Sequence, residues 1–152
     1  MVNQMRDEEV LSRITFRPPE HADLNMIVDS FTKQITEGSL VKGTDRVILN
    51  VNHLCSALCK RGGSAVAALS KAPNVLIGWA AKEDDGALLF AYVKHDFRRW
   101  GIGSAMIQEL TKDSPIRVVY WTRAAKKIYN SGKPVTWDWA RFNNIQDKKG
   151  IV

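Results

Sequence analysis

The sequence predicts a single α/β domain whose elements run β-α-α-β-β-β-α-β-α-β, with an antiparallel meander of three strands at its centre. Three observations predict it. Apolar residues recur at helical spacing before residue 60 and again after residue 103. Between Ser64 and Lys94 the apolar residues instead come in short runs of strand length. The segments separating those runs, Lys71-Ala72-Pro73-Asn74 and Glu83-Asp84-Asp85-Gly86, have the composition of tight turns. A length of 152 residues, 45% hydrophobic and 25% charged, suffices for one core, and no repeat, low-complexity tract or Pro/Gly/Ser-rich linker divides it. One domain over residues 1–152 is therefore expected.

Ile14-Thr15-Phe16-Arg17 alternates apolar and polar residues as a short strand does, and Pro18-Pro19 ends it ahead of a helix. In that helix Leu24, Ile27, Val28, Phe31 and Ile35 make one apolar stripe. A second helix is expected from about Asn50 to Lys60. Val51, Leu54, Cys55 and Leu58 share one of its faces, and Arg61-Gly62-Gly63 stops it. Strands follow over Ser64 to Leu69, Val75 to Lys82 and Ala87 to Lys94. A third helix starts near Gly103, carries Ala105, Met106, Ile107 and Leu110, and breaks at Asp113-Ser114-Pro115. Ile116 to Trp121 reads as a strand, Thr122 to Asn130 as a short helix N-capped by Thr122, and Val135 to Phe142 as a last strand.

Composition excludes several classes. Cys55 and Cys59 are too few for a disulfide framework and lack nearby partners for a zinc site; at helical spacing they read as packing residues. No metal ligand set is expected. The longest apolar stretch, Val75 to Ala81, falls far short of the roughly 20 residues of a spanning helix, and the start MVNQMRDEEV lacks the pattern of a secretory signal. The chain reads as soluble and cytoplasmic, without a membrane partner. Its net charge of +6 is uneven: residues 1–116 carry 14 Lys/Arg against 14 Asp/Glu, and residues 117–152 carry 8 against 2. Such a basic quarter attracts a phosphorylated ligand, an acidic peptide or nucleic acid, or serves solubility alone.

The segment richest in chemistry is Tyr92-Val93-Lys94-His95-Asp96-Phe97-Arg98-Arg99-Trp100-Gly101-Ile102-Gly103-Ser104, between a strand and a helix. Glycines at such a turn let backbone N–H groups approach a ligand, and the helix N-terminus beyond favours a phosphate. Arg98 and Arg99 add charge-assisted bonds. The loop is an anion cradle. It is neither a dinucleotide fingerprint, because Met106 stands where a third glycine belongs, nor a Walker A loop, because no Gly-Lys-Ser/Thr follows.

Arg98-x-x-Gly101-x-Gly103 resembles the acyl-CoA pyrophosphate loop of the GNAT acetyltransferase superfamily, with Val93 five residues upstream at the expected end of the fourth strand. The element order is similar over nearly the whole chain. The spelling Phe90-Ala91-Tyr92-Val93-Lys94 and Phe97-Arg98-Arg99 looks like the small GNAT-like proteins of phages and prophages. The resemblance implies a mixed, mostly antiparallel central sheet with helices on both faces, and fourth and fifth strands that splay around the pantetheine arm of acetyl-CoA. Backbone groups around Tyr92, Val93 and Lys94 would hold that arm, and Arg98, Arg99, Trp100, Gly101, Ile102, Gly103 and Ser104 would bind the rest. Trp100 either flanks CoA or packs on a neighbouring segment.

The implied reaction is direct attack of a primary amine on the thioester in a ternary complex. A base is often a glutamate on the fourth strand in this family, yet Ala87 to Val93 holds no carboxylate; the nearest, Glu83, Asp84 and Asp85, lie in the preceding turn. The base stays unassigned, and His95 is read as a surface residue. For the acid, Ala125 to Gly132 is similar to the family's helix ending in a tyrosine before a glycine, although one residue short, which makes Tyr129 the candidate and Tyr120 and Tyr92 its neighbours near the cleft. Trp79, Trp121, Trp137 and Trp139 read as strand packing residues, the last two on one face.

The function expected is therefore an acyl-CoA-dependent N-acetyltransferase acting on a small-molecule or peptide amine. Two alternatives stand beside it: a nucleic-acid-base modifier, which the basic quarter favours slightly, and a non-catalytic CoA-binding protein, which the absent strand-four carboxylate keeps open. The oligomeric state is open, a homodimer included.

Overall fold

The first strand of the computed structural model, β1 (Ile14–Arg17), is followed by a 3-10 turn (His21–Asp23), α1 (Leu24–Glu37) and α2 (Thr44–Cys59). Then come β2 (Ser64–Leu69), β3 (Ala72–Lys82), β4 (Leu88–Val93), a second 3-10 turn (His95–Phe97) and α3 (Ile102–Thr111). The chain continues through β5 (Ile116–Val118), α4 (Arg123–Asn130) and β6 (Val135–Trp137), the order expected from the sequence. The structure describes residue 9 and residues 11–38, 40–112 and 115–138. The part of the expected last strand from Trp139 to Phe142, and the Asp113-Ser114 break, lie outside the described residues.

The six strands lie side by side in chain order. β1–β2, β2–β3 and β3–β4 pair antiparallel; β4–β5 and β5–β6 pair parallel. Connection length explains the change. β2, β3 and β4 are joined by tight turns, which reverse the chain. α3 and α4 carry it back across the sheet before β5 and β6, which restores direction.

Each face of the sheet buries its own helical layer. α1 and α2 close one face over Ile27, Phe31, Ile35, Leu54, Val66, Trp79, Phe90 and Tyr120. α3 and α4 close the other over Ala67, Ile77, Ile102, Met106, Ile107, Leu110, Val118, Ala125 and Ile128. On the first face Phe31 stands edge-on to Trp79, Phe90 and Tyr120, with centroids 6.0, 5.5 and 6.1 Å away. The Trp79 indole N–H is satisfied by Ser30 Oγ at 2.7 Å.

A bulge interrupts β3 where the strand crosses the middle of the sheet. Ala67 faces Gly78 and Ala68 faces Leu76, so Ile77 is the extra residue and the ladder shifts there. Gly78 lies opposite Val93 at the end of β4. A Cβ on Gly78 would fall 2.5 Å from the Tyr92 carbonyl oxygen and 3.1 Å from the Met106 side chain, so only glycine lets β4 and α3 come this close.

Several boundaries differ from expectation. α2 starts six residues early because its first turn, Thr44-Asp45-Arg46, is exposed and contributes no apolar signal. The same helix corrects the reading of the cysteines: Cys55 and Cys59 are exposed, because the inward face runs through Asn50, Leu54 and Ala57. β3 begins at Ala72 and the turn is Ser70-Lys71; Pro73 is tolerated in this irregular stretch, where its carbonyl accepts from Arg17 Nη2 at 3.1 Å. Arg17 also donates from Nη1 to Asp23 Oδ2 at 2.7 Å, tying β1 to the start of α1. β5 stops at Val118, three residues short of the expected end.

Candidate active site

β4 and β5 share one ladder pair among the described residues, Leu88 with Val118, closed by the Val119 N–H donating to the Leu88 carbonyl at 3.0 Å. Past it the strands part. Phe90 to Val93 keep their ladder with β3 on one edge only, which leaves the other edge facing a wedge. Its walls are Leu88 to Ala91 of β4, Val118 and Tyr120, Ile107 of α3, and Thr122, Ala124 and Ala125 where α4 begins. Thr122 Oγ1 accepts from the Ala125 N–H at 3.2 Å, so the expected N-cap holds that wall in place.

The turn into α3 packs against the end of β4: a Cβ on Gly103 would fall 3.5 Å from the Val93 side chain. Gly101 is the N-cap of α3 in the left-handed region, φ +80°, and open space surrounds the position of a Cβ there. The helix ladder opens with the Ala105 N–H bonded to the Gly101 carbonyl at 3.0 Å, and no side chain caps this end. The N–H groups of Ile102, Gly103 and Ser104 thus precede the ladder and point out of the helix start, where a partial positive charge gathers. Arg99 also takes a positive φ, 75°, which turns the chain into the helix.

The residues singled out from the sequence divide clearly by role. Arg98 Nε donates to the Val93 carbonyl at 2.8 Å, and its guanidinium lies 5.8 Å from the Tyr92 ring centroid; the arginine braces the loop against β4 while the residue stays exposed. Arg99 and Ser104 are exposed. The Lys94 N–H donates to the Ile77 carbonyl at 2.8 Å and its carbonyl accepts from Phe97 at 2.9 Å, so its backbone is used within the fold. Ile102 is 1% exposed and its side chain belongs to the core, while its N–H lies at the start of the helix, before the ladder begins. Trp100, Val93 and Phe97 pack on the α3/α4 core and Tyr92 on the other. Alternation along β4 therefore turns Tyr92 and Val93 to opposite faces.

Tyr129 is not among the residues that line the wedge. It is 56% exposed in the last turn of α4, edge-on to Trp121 at 5.8 Å, and Trp121 in turn lies 6.0 Å from Trp137. Tyr120 is buried in the wall, and its hydroxyl donates to Asn50 Oδ1 while Asn50 Nδ2 donates to the Arg46 carbonyl at 2.7 Å. Burial first, and the charge of Glu83 second, push the Tyr120 phenol above its ordinary range, so it stays protonated. Asn50 was not singled out from the sequence; the signal was a polar side chain interrupting the apolar stripe of α2. His95 is exposed.

The fold recurs in solved structures. Naa50 of Arabidopsis thaliana, in complex with a bisubstrate analogue joining CoA to an acetylated peptide, superposes with a TM-score of 0.50 at 15% identity, over 79% of this chain and 82% of its own. The fold is that of the GNAT acetyltransferases. Two further acetyltransferase structures are similar at lower scores. A histone acetyltransferase HPA2-related protein of Corynebacterium glutamicum gives 0.49 at 16% identity over 78% and 83% of the chains. A ribosomal-protein-alanine N-acetyltransferase of Brucella melitensis gives 0.42 at 14% over 91% and 87%. Neither a protein-family model nor a curated protein matches the sequence. Within this GNAT fold, no described helix is long and apolar enough to cross a membrane, and the described residues contain no group of three His, Cys, Asp or Glu side chains able to hold a metal.

Proposed function

We propose that the protein is an N-acyltransferase that moves an acetyl group from acetyl-CoA to a primary amine of a small molecule or peptide. One observation carries this reading: the parting of β4 from β5 after a single pair, directly beside an uncapped helix N-terminus. Acetyl-CoA, when bound, supplies a thioester carbonyl open to attack. The chain supplies the rest. The open edge of β4 at Tyr92 and Val93 receives the pantetheine arm. The amides of Ile102, Gly103 and Ser104, with Arg98, Arg99 and Lys94, receive the pyrophosphate. Trp100 stiffens the cradle through its packing on the core. A backbone N–H on the open edge of β4 faces the carbonyl oxygen as negative charge develops there, which preorganised dipoles in an apolar wedge stabilise strongly.

Tyr129 is the proposed proton donor to the departing sulfur. Its hydroxyl makes no hydrogen bond to another described residue, whereas the Tyr120 hydroxyl is committed to Asn50. Positioning supplies much of the rate, because two reactants held in a wedge no longer need to find each other. The bound peptide of the Naa50 structure supports an amine on a peptide or a molecule of similar size as acceptor.

A nucleic-acid acceptor is the second reading. It is favoured by four exposed cations in and after α4: Arg123, Lys126, Lys127 and Lys133. DNA affinity falling steeply with salt would support it. The test of the leading reading is acetyl transfer from acetyl-CoA to polyamines, aminoglycosides, amino acids, free-amine peptides and DNA, each followed by mass. Acetylation of an amine is expected. Release of CoA by water alone, with no acetylated product, contradicts it.

A further inference from the structure

The three consecutive carboxylates of the β3–β4 hairpin have different partners. Asp84 pairs with Lys60 at the end of α2, and Asp85 lies 3.2 Å from Arg117 Nη1 of β5. Glu83 has no lysine or arginine against it among the described residues. Its ionic neighbour is His53 of α2, with Nδ1 3.2 Å from Oε1. That oxygen is buried and receives no well-formed hydrogen bond from a described residue. A buried carboxylate oxygen left this way is costly to the fold unless something else uses it.

Its position supplies the use. Alternation from Trp79 through Ala81 places Glu83 on the α1/α2 face, and its N–H donates to the Ala87 carbonyl at 2.8 Å. The carboxylate therefore stands beside the small side chain of Ala87, one residue before the Leu88–Val118 pair at the root of the wedge. Tyr120 of the wedge wall feels its charge. Asn50, which holds Tyr120, and His53 lie three apart and share a face of α2. The Glu83 side chain is 14% exposed and that of His53 37%, so the pair runs from the interior of the α1/α2 face, next to the Tyr120 that lines the wedge, out toward solvent.

We propose that Glu83, backed by His53, is the base that takes a proton from the acceptor's ammonium group, and that the acceptor enters from the α2 and β3–β4 hairpin side. This inference rests on the N-acyltransferase reading. The ammonium gives one proton to the Glu83 carboxylate, which passes it by way of His53 to solvent. The freed lone pair forms the C–N bond as the C–S bond breaks, a second proton ends on the thiolate, and the third stays on the amide. The other charged groups around Glu83 are accounted for. Lys60 and Arg117 are held by Asp84 and Asp85, Lys82 Nζ donates to the Leu110 carbonyl at 3.0 Å, and Tyr120 stays protonated.

Glu83→Gln and His53→Gln test it, with the amine that the wild type acetylates fastest. Glu83→Gln should lower kcat/KM at pH 7 by about 100-fold or more, the usual reach of a general base, with acetyl-CoA affinity unchanged. The deficit should shrink as pH rises and the amine arrives unprotonated. His53→Gln should lose less. Without acetyl-CoA, the His53 ring proton signal in NMR should move when butylamine hydrochloride is added to wild type and stay still in Glu83→Gln. If Glu83→Gln does not fold, Glu83→Asp replaces it and should give a smaller loss with the same pH trend. A variant within threefold of wild type at pH 7, or one equally impaired at every pH, overturns the assignment and leaves the acyltransferase reading intact. A wild type that binds acetyl-CoA yet acetylates no amine overturns both.

Discussion

Leu88 and Val118 form the one described ladder pair between β4 and β5, and beyond it Phe90 to Val93 pair with β3 alone. A single pair fixes the root of the wedge. The bulge and close approach at Gly78 set β4 against β3 and α3, and the Thr122 cap sets the start of α4.

Gly78→Ala should therefore damage both stability and binding. The added methyl would sit 2.5 Å from the Tyr92 carbonyl oxygen, against backbone that cannot swing aside. A cost of about 1–3 kcal/mol is expected for such overpacking, with a matching fall in Tm and weaker acetyl-CoA binding as β4 shifts. A variant as stable as wild type would mean that β4 has slack at this position.

Gly101→Val should separate the two effects. Open space surrounds the site, so no clash arises, but a β-branched residue at φ +80° is strained by about 1–2 kcal/mol. The helix start would re-form around a different backbone, and acetyl-CoA affinity should fall at least tenfold while the folded state persists. Calorimetry and a thermal melt on the same sample decide it.

Much of the fold is legible in the sequence. The order of elements, the meander and the glycine turn into α3 follow from periodicity, turn composition and the Gly101-x-Gly103 spacing, because these are local signals. What stays hidden depends on long-range placement. Cys55 looks like a packing residue because it neighbours Leu54 and Leu58, yet the inward face runs through Asn50, and an asparagine does not announce burial until Tyr120 arrives 70 residues later. Glu83 looks like one of three equivalent turn acids; only the positions of Lys60, Arg117 and His53 distinguish them.

The two tyrosines should respond differently to the same change. Tyr129→Phe is expected to lower kcat about tenfold or more with acetyl-CoA affinity unchanged, since in the proposed reaction its hydroxyl acts only as sulfur departs. Tyr120→Phe removes the donor to a buried Asn50 oxygen and should cost about 1–3 kcal/mol of stability. Steady-state kinetics beside thermal melts separate them; a fully active Tyr129→Phe removes that residue from the mechanism.

Asp23 ties stability to acid pH. Burial raises its pKa, but the Arg17 hydrogen bond and the Glu20 N–H at 2.7 Å outweigh it and hold the carboxyl below its ordinary range. A depressed folded-state pKa gives stability that is fully present above the unfolded value near 4 and is lost as pH falls through the lower folded value. Between those two values Asp23→Asn should lose the pH dependence that wild type shows, and at neutral pH it should be less stable by about 2 kcal/mol. Urea melts across that range measure both.

Whether the cradle and wedge take acetyl-CoA decides the acyltransferase reading most directly. Titration calorimetry of the wild-type protein with acetyl-CoA, repeated with Gly101→Val, tests this without any acceptor. One acetyl-CoA per chain is predicted for wild type, with affinity at least tenfold weaker in the variant at an unchanged fold. No binding by the folded wild type, or equal binding by both proteins, contradicts it.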